Sequence, residues 1–109
     1  MRITAVRAYR QHQPFVEGSY GTAGGSVSGY DSTIVAVDTD EGVTGWGEMA
    51  PLGSFYSDAF PAGVRAGVAE LAPALIGHDP AQPRRITEVM DAAMRGQPYV
   101  KSALDMACW

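Results

Sequence analysis

Hydrophobic and polar positions change their period along the chain, and the changes mark its elements. In residues 2–13, Ile3, Val6 and Tyr9 alternate roughly with Thr and Arg, and this β-branched, half-apolar pattern predicts a first strand. Pro14 has no N–H to donate and ends its ladder. Residues 17–29 are dense in Gly and Ser with Tyr20 their only internal aromatic, which predicts a long loop of a kind that in compact domains is usually functional or disordered. A continuous run, Thr33-Ile34-Val35-Ala36-Val37, lies inside residues 30–39 and suits a strand covered on both faces. Asp40-Glu41-Gly42 is a turn signal, and residues 43–49 read as the returning strand. Gly45 and Gly47 leave one face of that strand without side chains, so another backbone is expected to approach it closely.

After a second loop over residues 50–57 the period becomes helical. From about residue 58, Phe60, Val64, Val68, Leu71 and Leu75 fall on one stripe of a helix that Pro73 is expected to end or kink and Gly77 to stop. A second helix is predicted over residues 83–96, opened by Pro83 and closed by Gly96, with Ile86, Val89, Met90, Ala93 and Met94 on its apolar side. Both helices are expected to pack on the sheet. Residues 99–109 begin a third helix with Val100, Ala103, Leu104 and Ala107 in phase, and its uncapped finish on Trp109 reads as a chain interrupted within a larger protein. The expected fold class is α+β, a three-stranded antiparallel meander followed by a helical segment.

Composition narrows the function classes. A chain of 109 residues that is 46% hydrophobic and 18% charged is one ordinary folded domain. Its formal net charge of -4 and scattered arginines form no phosphate-binding stripe, which argues against a nucleic-acid partner. The longest mainly apolar stretch, residues 66–76, is far short of the roughly 20 residues that a membrane span needs. The start has no apolar region of signal-peptide length and the single cysteine, Cys108, has no internal partner, so the cytoplasm is the expected compartment.

Candidate chemistry is sparse. His12 and His78 lie far apart and neither stands at a zinc spacing, so turn and strand-end roles are expected for them. Gly21, Gly24, Gly25 and Gly29 match neither nucleotide-binding pattern. Asp38, Asp40 and Glu41 resemble part of a calcium loop, but Met49 stands where its closing Glu is required, and a solvated turn fits better. Glu48 reads as a hydrogen-bonded structural acid and Cys108 as a small core residue. No nucleophile, base or metal triad can be assembled, so no catalytic or metal-binding residue is assigned.

Taken together, Thr39-Asp40-Glu41-Gly42-Val43-Thr44-Gly45-Trp46-Gly47-Glu48 and the closing Lys101-Ser102-Ala103-Leu104-Asp105-Met106-Ala107-Cys108-Trp109 are similar to the N-terminal domain of the mandelate racemase and muconate lactonizing enzyme group of the enolase superfamily. Within it, Glu17-Gly18-Ser19-Tyr20-Gly21, Asp31-Ser32-Thr33, Gly63-Val64-Arg65-Ala66-Gly67 and Arg95-Gly96-Gln97-Pro98-Tyr99-Val100-Lys101-Ser102 most resemble cis-3-hydroxy-L-proline dehydratases and hydroxyproline or proline betaine epimerases.

The resemblance implies a capping domain over residues 1–98 and, in residues 99–109, the start of a helix leading to a modified TIM barrel that is not in this sequence. That barrel would hold Mg²⁺ and the acid/base lysines for abstracting the proton α to a carboxylate, with the metal stabilising the enediolate. It also implies a small carboxylate substrate, a homo-oligomer, and a segment inactive on its own. The cap would exclude water through two loops, residues 15–29 and 51–57, whose Tyr20, Phe55 and Tyr56 would face a ring-shaped amino acid with a positive nitrogen. Anchoring of the loops to the domain's own surface is the other reading of these side chains. Lys101 maps to the helix and not to a barrel strand, so its role is structural. Competing expectations are a free-standing binding module, or the same enzyme class acting on a dipeptide, muconate or a sugar acid.

Overall fold

A computed structural model describes the backbone of residues 1–14, 20–22, 25–27, 29–51 and 60–109, with their side chains outside residues 13–30. Strands β1 (Ile3–Pro14), β4 (Gly29–Thr39) and β5 (Thr44–Met49) form an antiparallel sheet in the order β1-β4-β5. A separate two-stranded ladder joins β2 (Tyr20–Thr22) to β3 (Gly25–Val27). Helices α1 (Pro61–Leu75), α2 (Pro83–Ala93) and α3 (Pro98–Cys108) follow, giving the meander and helical segment read from the sequence.

The ladder of β2 and β3 corrects the expectation of an irregular loop over residues 17–29. Tyr20 pairs with Val27 and Thr22 with Gly25, so this stretch satisfies part of its backbone by pairing with itself. Glycine and serine carry no hydrophobic alternation, which is why the sequence pattern hides it.

Opposed residues share a face of an antiparallel sheet, and the pairings Val6↔Val37, Ala8↔Val35 and Arg10↔Thr33 set one face towards the helices. On that face Val35 and Val37 are buried with Ile3 and with Val64, Val68, Leu71 and Leu75 of α1. Gly47 and Gly45 of β5 oppose Val35 and Val37, and α3 lies on them. A Cβ on Gly45 would overlap the Ala107 carbonyl oxygen, and one on Gly47 would overlap that of Ala103. Val100, Ala103, Leu104 and Ala107 of α3 are all buried, as their spacing predicts.

The sheet is therefore covered by α1 and α3, while α2 packs against those two helices through Ile86 and Met90. The expectation that the first two helices share the sheet fails here because α3, not α2, fits the bare strip of β5. Phe60 also departs from its expected stripe. It is the extended N-cap of α1 and half-exposed, and Pro61, whose missing N–H is no loss in a first turn, opens the helix.

Pro73 does not end α1, which runs on to Leu75. The carbonyl deprived of its donor belongs to Ala69, an exposed residue near the helix end, so water can replace the bond. Gly77 then takes φ 88°, donates to the Ile3 carbonyl at 2.8 Å, and His78 accepts from the Ile3 N–H at 2.8 Å. This two-bond bridge ties the end of α1 to the start of β1.

Gly47→Ala is expected to lower stability by about 3 kcal/mol, because the obstacle is helix backbone and cannot swing aside. Gly42→Ala, at φ 78° with nothing within 4 Å of the added Cβ, should cost about 1 kcal/mol. Urea unfolding of both variants checks the contrast, and equal losses would remove the close-approach account.

Candidate functional site

The register brings several element ends together. Pro14 pairs with Gly29, and Met49 pairs with Thr33, so β1 and β5 finish and β4 starts at the same end of the sheet. Pro14 and Gly29, which flank residues 15–28 in sequence, therefore stand at this end, as does Met49, which shortly precedes residues 52–59.

A polar junction stands there. Asp31, two residues into β4 from Gly29, accepts from Arg10 Nε of β1 at 3.0 Å and from Arg65 of α1 at 2.9 and 3.4 Å. Arg65 also donates to Thr33 Oγ1 at 3.4 Å. Asp31 is in phase with Thr33, Val35 and Val37, so the strand period places its carboxylate on the helix-covered face. Burial there pushes the Asp31 carboxyl up, but hydrogen bonds and charge from Arg10 and Arg65 outweigh it and hold the group below its ordinary value. Ser32 faces the opposite way, is fully buried, and its hydroxyl has no hydrogen-bond partner among the described residues.

The outer face of the sheet carries a polar and aromatic brace of its own. Arg7 grips Asp38 through two hydrogen bonds of 2.7 and 2.8 Å and donates to the Tyr9 hydroxyl at 2.6 Å. Its guanidinium carbon lies 5.8 Å from the Tyr9 ring centre and 5.7 Å from that of Trp46. Arg7, followed by the Thr44 hydroxyl at 2.8 Å, holds the Asp38 carboxyl below the usual range. Asp38 is thus part of a surface brace at the hairpin, and Asp40 accepts the Arg2 N–H at 2.9 Å.

Lys101 ties α3 to Asp91 of α2 at 2.8 Å, and partly buried Glu48 stands opposite Ile34. Burial, followed by the charge of Asp105, pushes the Cys108 thiol up to about 11, which leaves it a poor nucleophile at neutral pH. Among the described residues no three or more His, Cys, Asp and Glu side chains gather where they could hold a metal ion, and no helix is long and apolar enough to cross a membrane.

Of the three side chains that the resemblance singled out, Phe55 and Tyr56 lie outside the described residues. The backbone of Tyr20 belongs to β2, opposite Val27. The Arg10, Asp31 and Arg65 junction was not foreseen, although a charge in phase with the core residues of β4 was a readable signal.

This fold and site define a domain type. The chain belongs to the family of mandelate racemase / muconate lactonizing enzyme N-terminal domains, whose model matches residues 3–109. It is 48% identical to the cis-3-hydroxy-L-proline dehydratase of Roseibium aggregatum over 100% of this chain and 30% of that enzyme. It is 33% identical to the N-succinyl-L-Arg/Lys racemase of Bacillus cereus over 100% of this chain and 29% of the racemase. A crystal structure of an enolase superfamily member from Roseovarius nubinhibens ISM, complexed with magnesium, superposes with a TM-score of 0.90 at 44% identity, over 99% of this chain and 29% of that one. The chain thus spans less than a third of the length of these relatives.

Because Asp31 and Asp38 titrate below their unfolded values, their stabilisation is fully present above the ordinary carboxylate pKa of about 4 and is lost as pH falls through the depressed folded values. Melting temperature measured against pH should therefore drop in acid, with a shallower acid limb in Asp31→Asn; an unchanged limb would contradict the ion-pair assignment.

Cys108 should react with iodoacetamide at pH 8 about 100-fold more slowly than an ordinary thiol, with the rate rising as pH approaches 11. Peptide mass spectrometry of timed samples reads this, and rapid labelling at pH 8 would show the thiol to be exposed and unperturbed.

Proposed function

We propose that this chain is the substrate-specificity domain of an enzyme that takes the proton α to the carboxylate of a proline-like acid, with cis-3-hydroxy-L-proline as substrate and loss of water as the outcome. One observation carries the reading: 48% identity to a cis-3-hydroxy-L-proline dehydratase is sustained over the whole chain, against 33% to a racemase of the same family. Residues 1–98 act as the cap, and residues 99–109, which also seal the sheet, lead on to the domain holding the acid/base groups and Mg²⁺. In this proposal the chemistry of that ion belongs to the other domain.

In this reading residues 15–29 and 51–57 close over the substrate and keep water from the reacting carbon. Tyr20, Phe55 and Tyr56 offer aromatic faces to the ring and its positive nitrogen. Departure of both segments from one end of the sheet supports a shared pocket. A cytoplasmic homo-oligomer completes the proposal.

The full-length protein, supplied with Mg²⁺ in deuterated water, should convert cis-3-hydroxy-L-proline with loss of one water per molecule. Deuterium appearing at the α carbon with inversion and no water loss, on hydroxyproline or a betaine, would replace the dehydratase with an epimerase. Tyr20→Ala and Tyr56→Ala should each reduce kcat/KM by about tenfold or more. Unchanged kcat/KM and substrate preference in both would remove these side chains from the pocket.

A further inference from the structure

We infer that Asp31 is a positioning residue for substrate binding, acting through its ion pairs with Arg10 and Arg65 to fix the spacing between the roots of the two segments proposed to cover the substrate. The inference rests on the proposed role of those segments but names a device that the role does not supply.

The placement is specific. Arg10 lies four residues before Pro14, where β1 gives way to the first segment, and Asp31 lies two residues after Gly29, where that segment returns. Arg65 lies four residues after Pro61, just beyond the second segment. One carboxylate therefore joins the outgoing strand, the returning strand and the helix. Hydrogen bonds already pair β1 with β4, and the Arg65–Asp31 pair adds a charged tie from this end of the sheet across to α1.

The geometry suits that task. Arg65 approaches both carboxylate oxygens, at 2.9 and 3.4 Å, and a planar guanidinium so held fixes direction as well as distance. Arg65 and Asp31 are largely covered, at 23% and 26% exposure, whereas Arg10 at 69% is the outer partner. Water therefore screens the Arg65 pair less than the Arg10 pair, and the strand-to-helix tie is the stronger of the two. Ser32 adds nothing to this tie, because its side chain lies on the other face of the strand.

The test uses the full-length protein with Asp31→Asn, which keeps the shape and removes the charge, and Arg65→Gln, which serves should the first variant not fold. Hydrogen exchange over residues 15–28 and 52–59 should speed up by about tenfold in both segments, with exchange in α2 and in the middle of α3 unchanged. On the proline acid, KM should rise by about tenfold while kcat stays within about twofold, and the double variant should be no worse than the poorer single one.

Unchanged exchange in both segments would overturn the inference, as would faster exchange with wild-type KM. Failure of the wild type to act on any proline acid would instead overturn the substrate reading, and the exchange result would still decide the role of Asp31.

Discussion

Because Gly45 and Gly47 have no side chains, the carbonyls of Ala103 and Ala107 meet the backbone of β5 directly, and α3 lies deeper on the sheet than a helix over ordinary residues could. Much else takes its position from that depth. At its first turn α3 presents Val100 to α1, and there too a glycine makes room, since a Cβ on Gly67 would overlap the Val100 side chain. The height of α1 above β1 and β4 is thereby set, and α2 fills the groove that the two sheet-bound helices leave, through Ile86 and Met90. Small residues on one strand and one helix thus determine where three helices lie.

The same packing decides where a charge can be tolerated on the helix-covered face. Asp31 follows the strand period into line with Val35 and Val37, where an unpaired carboxylate would be costly. It is acceptable because α1, held at its height by α3, brings Arg65 within 2.9 Å, and Arg10 closes the outer side. Asp38 shows the contrast. On the open face its partner Arg7 comes from the adjacent strand and is flanked by Tyr9 and Trp46, so that pair braces one surface without joining strand to helix.

What the sequence revealed follows from how far each signal reaches. The three long strands, the turn at Gly42, the bare strip of β5 and the buried stripe of α3 are local patterns with a period of 2 or 3.6, and they were legible. The ladder of β2 and β3 was not, because residues rich in Gly and Ser show no alternation. Passage of α1 through Pro73 depends on the exposure of Ala69, which no pattern states. The swap of α2 for α3 on the sheet depends on the match between one helix and one glycine strip. Arg65 and Asp31 are 34 residues apart, and only the tertiary register makes them a pair. The aromatic candidates came from resemblance alone, since no periodicity assigns a role to Tyr20, Phe55 or Tyr56.

In the proposed role, a domain built this way would influence a reaction by shape. Asp31, Asp38 and Asp91 are each engaged by a basic side chain, and the Cys108 thiol is held in its neutral form. Groups so satisfied do not make strong acids, bases or nucleophiles at neutral pH, because their preferred partners are already in place. What the arrangement does supply is a rigid base, with two stretches of chain rooted at one end of a sheet whose height and spacing are fixed by glycine contacts and one ion-paired carboxylate. Relatives of this domain include a dehydratase and a racemase, so the domain has stayed recognisable while the chemistry of the named enzymes differs. That is the behaviour expected when the frame is set by backbone packing and specificity is left to segments outside it.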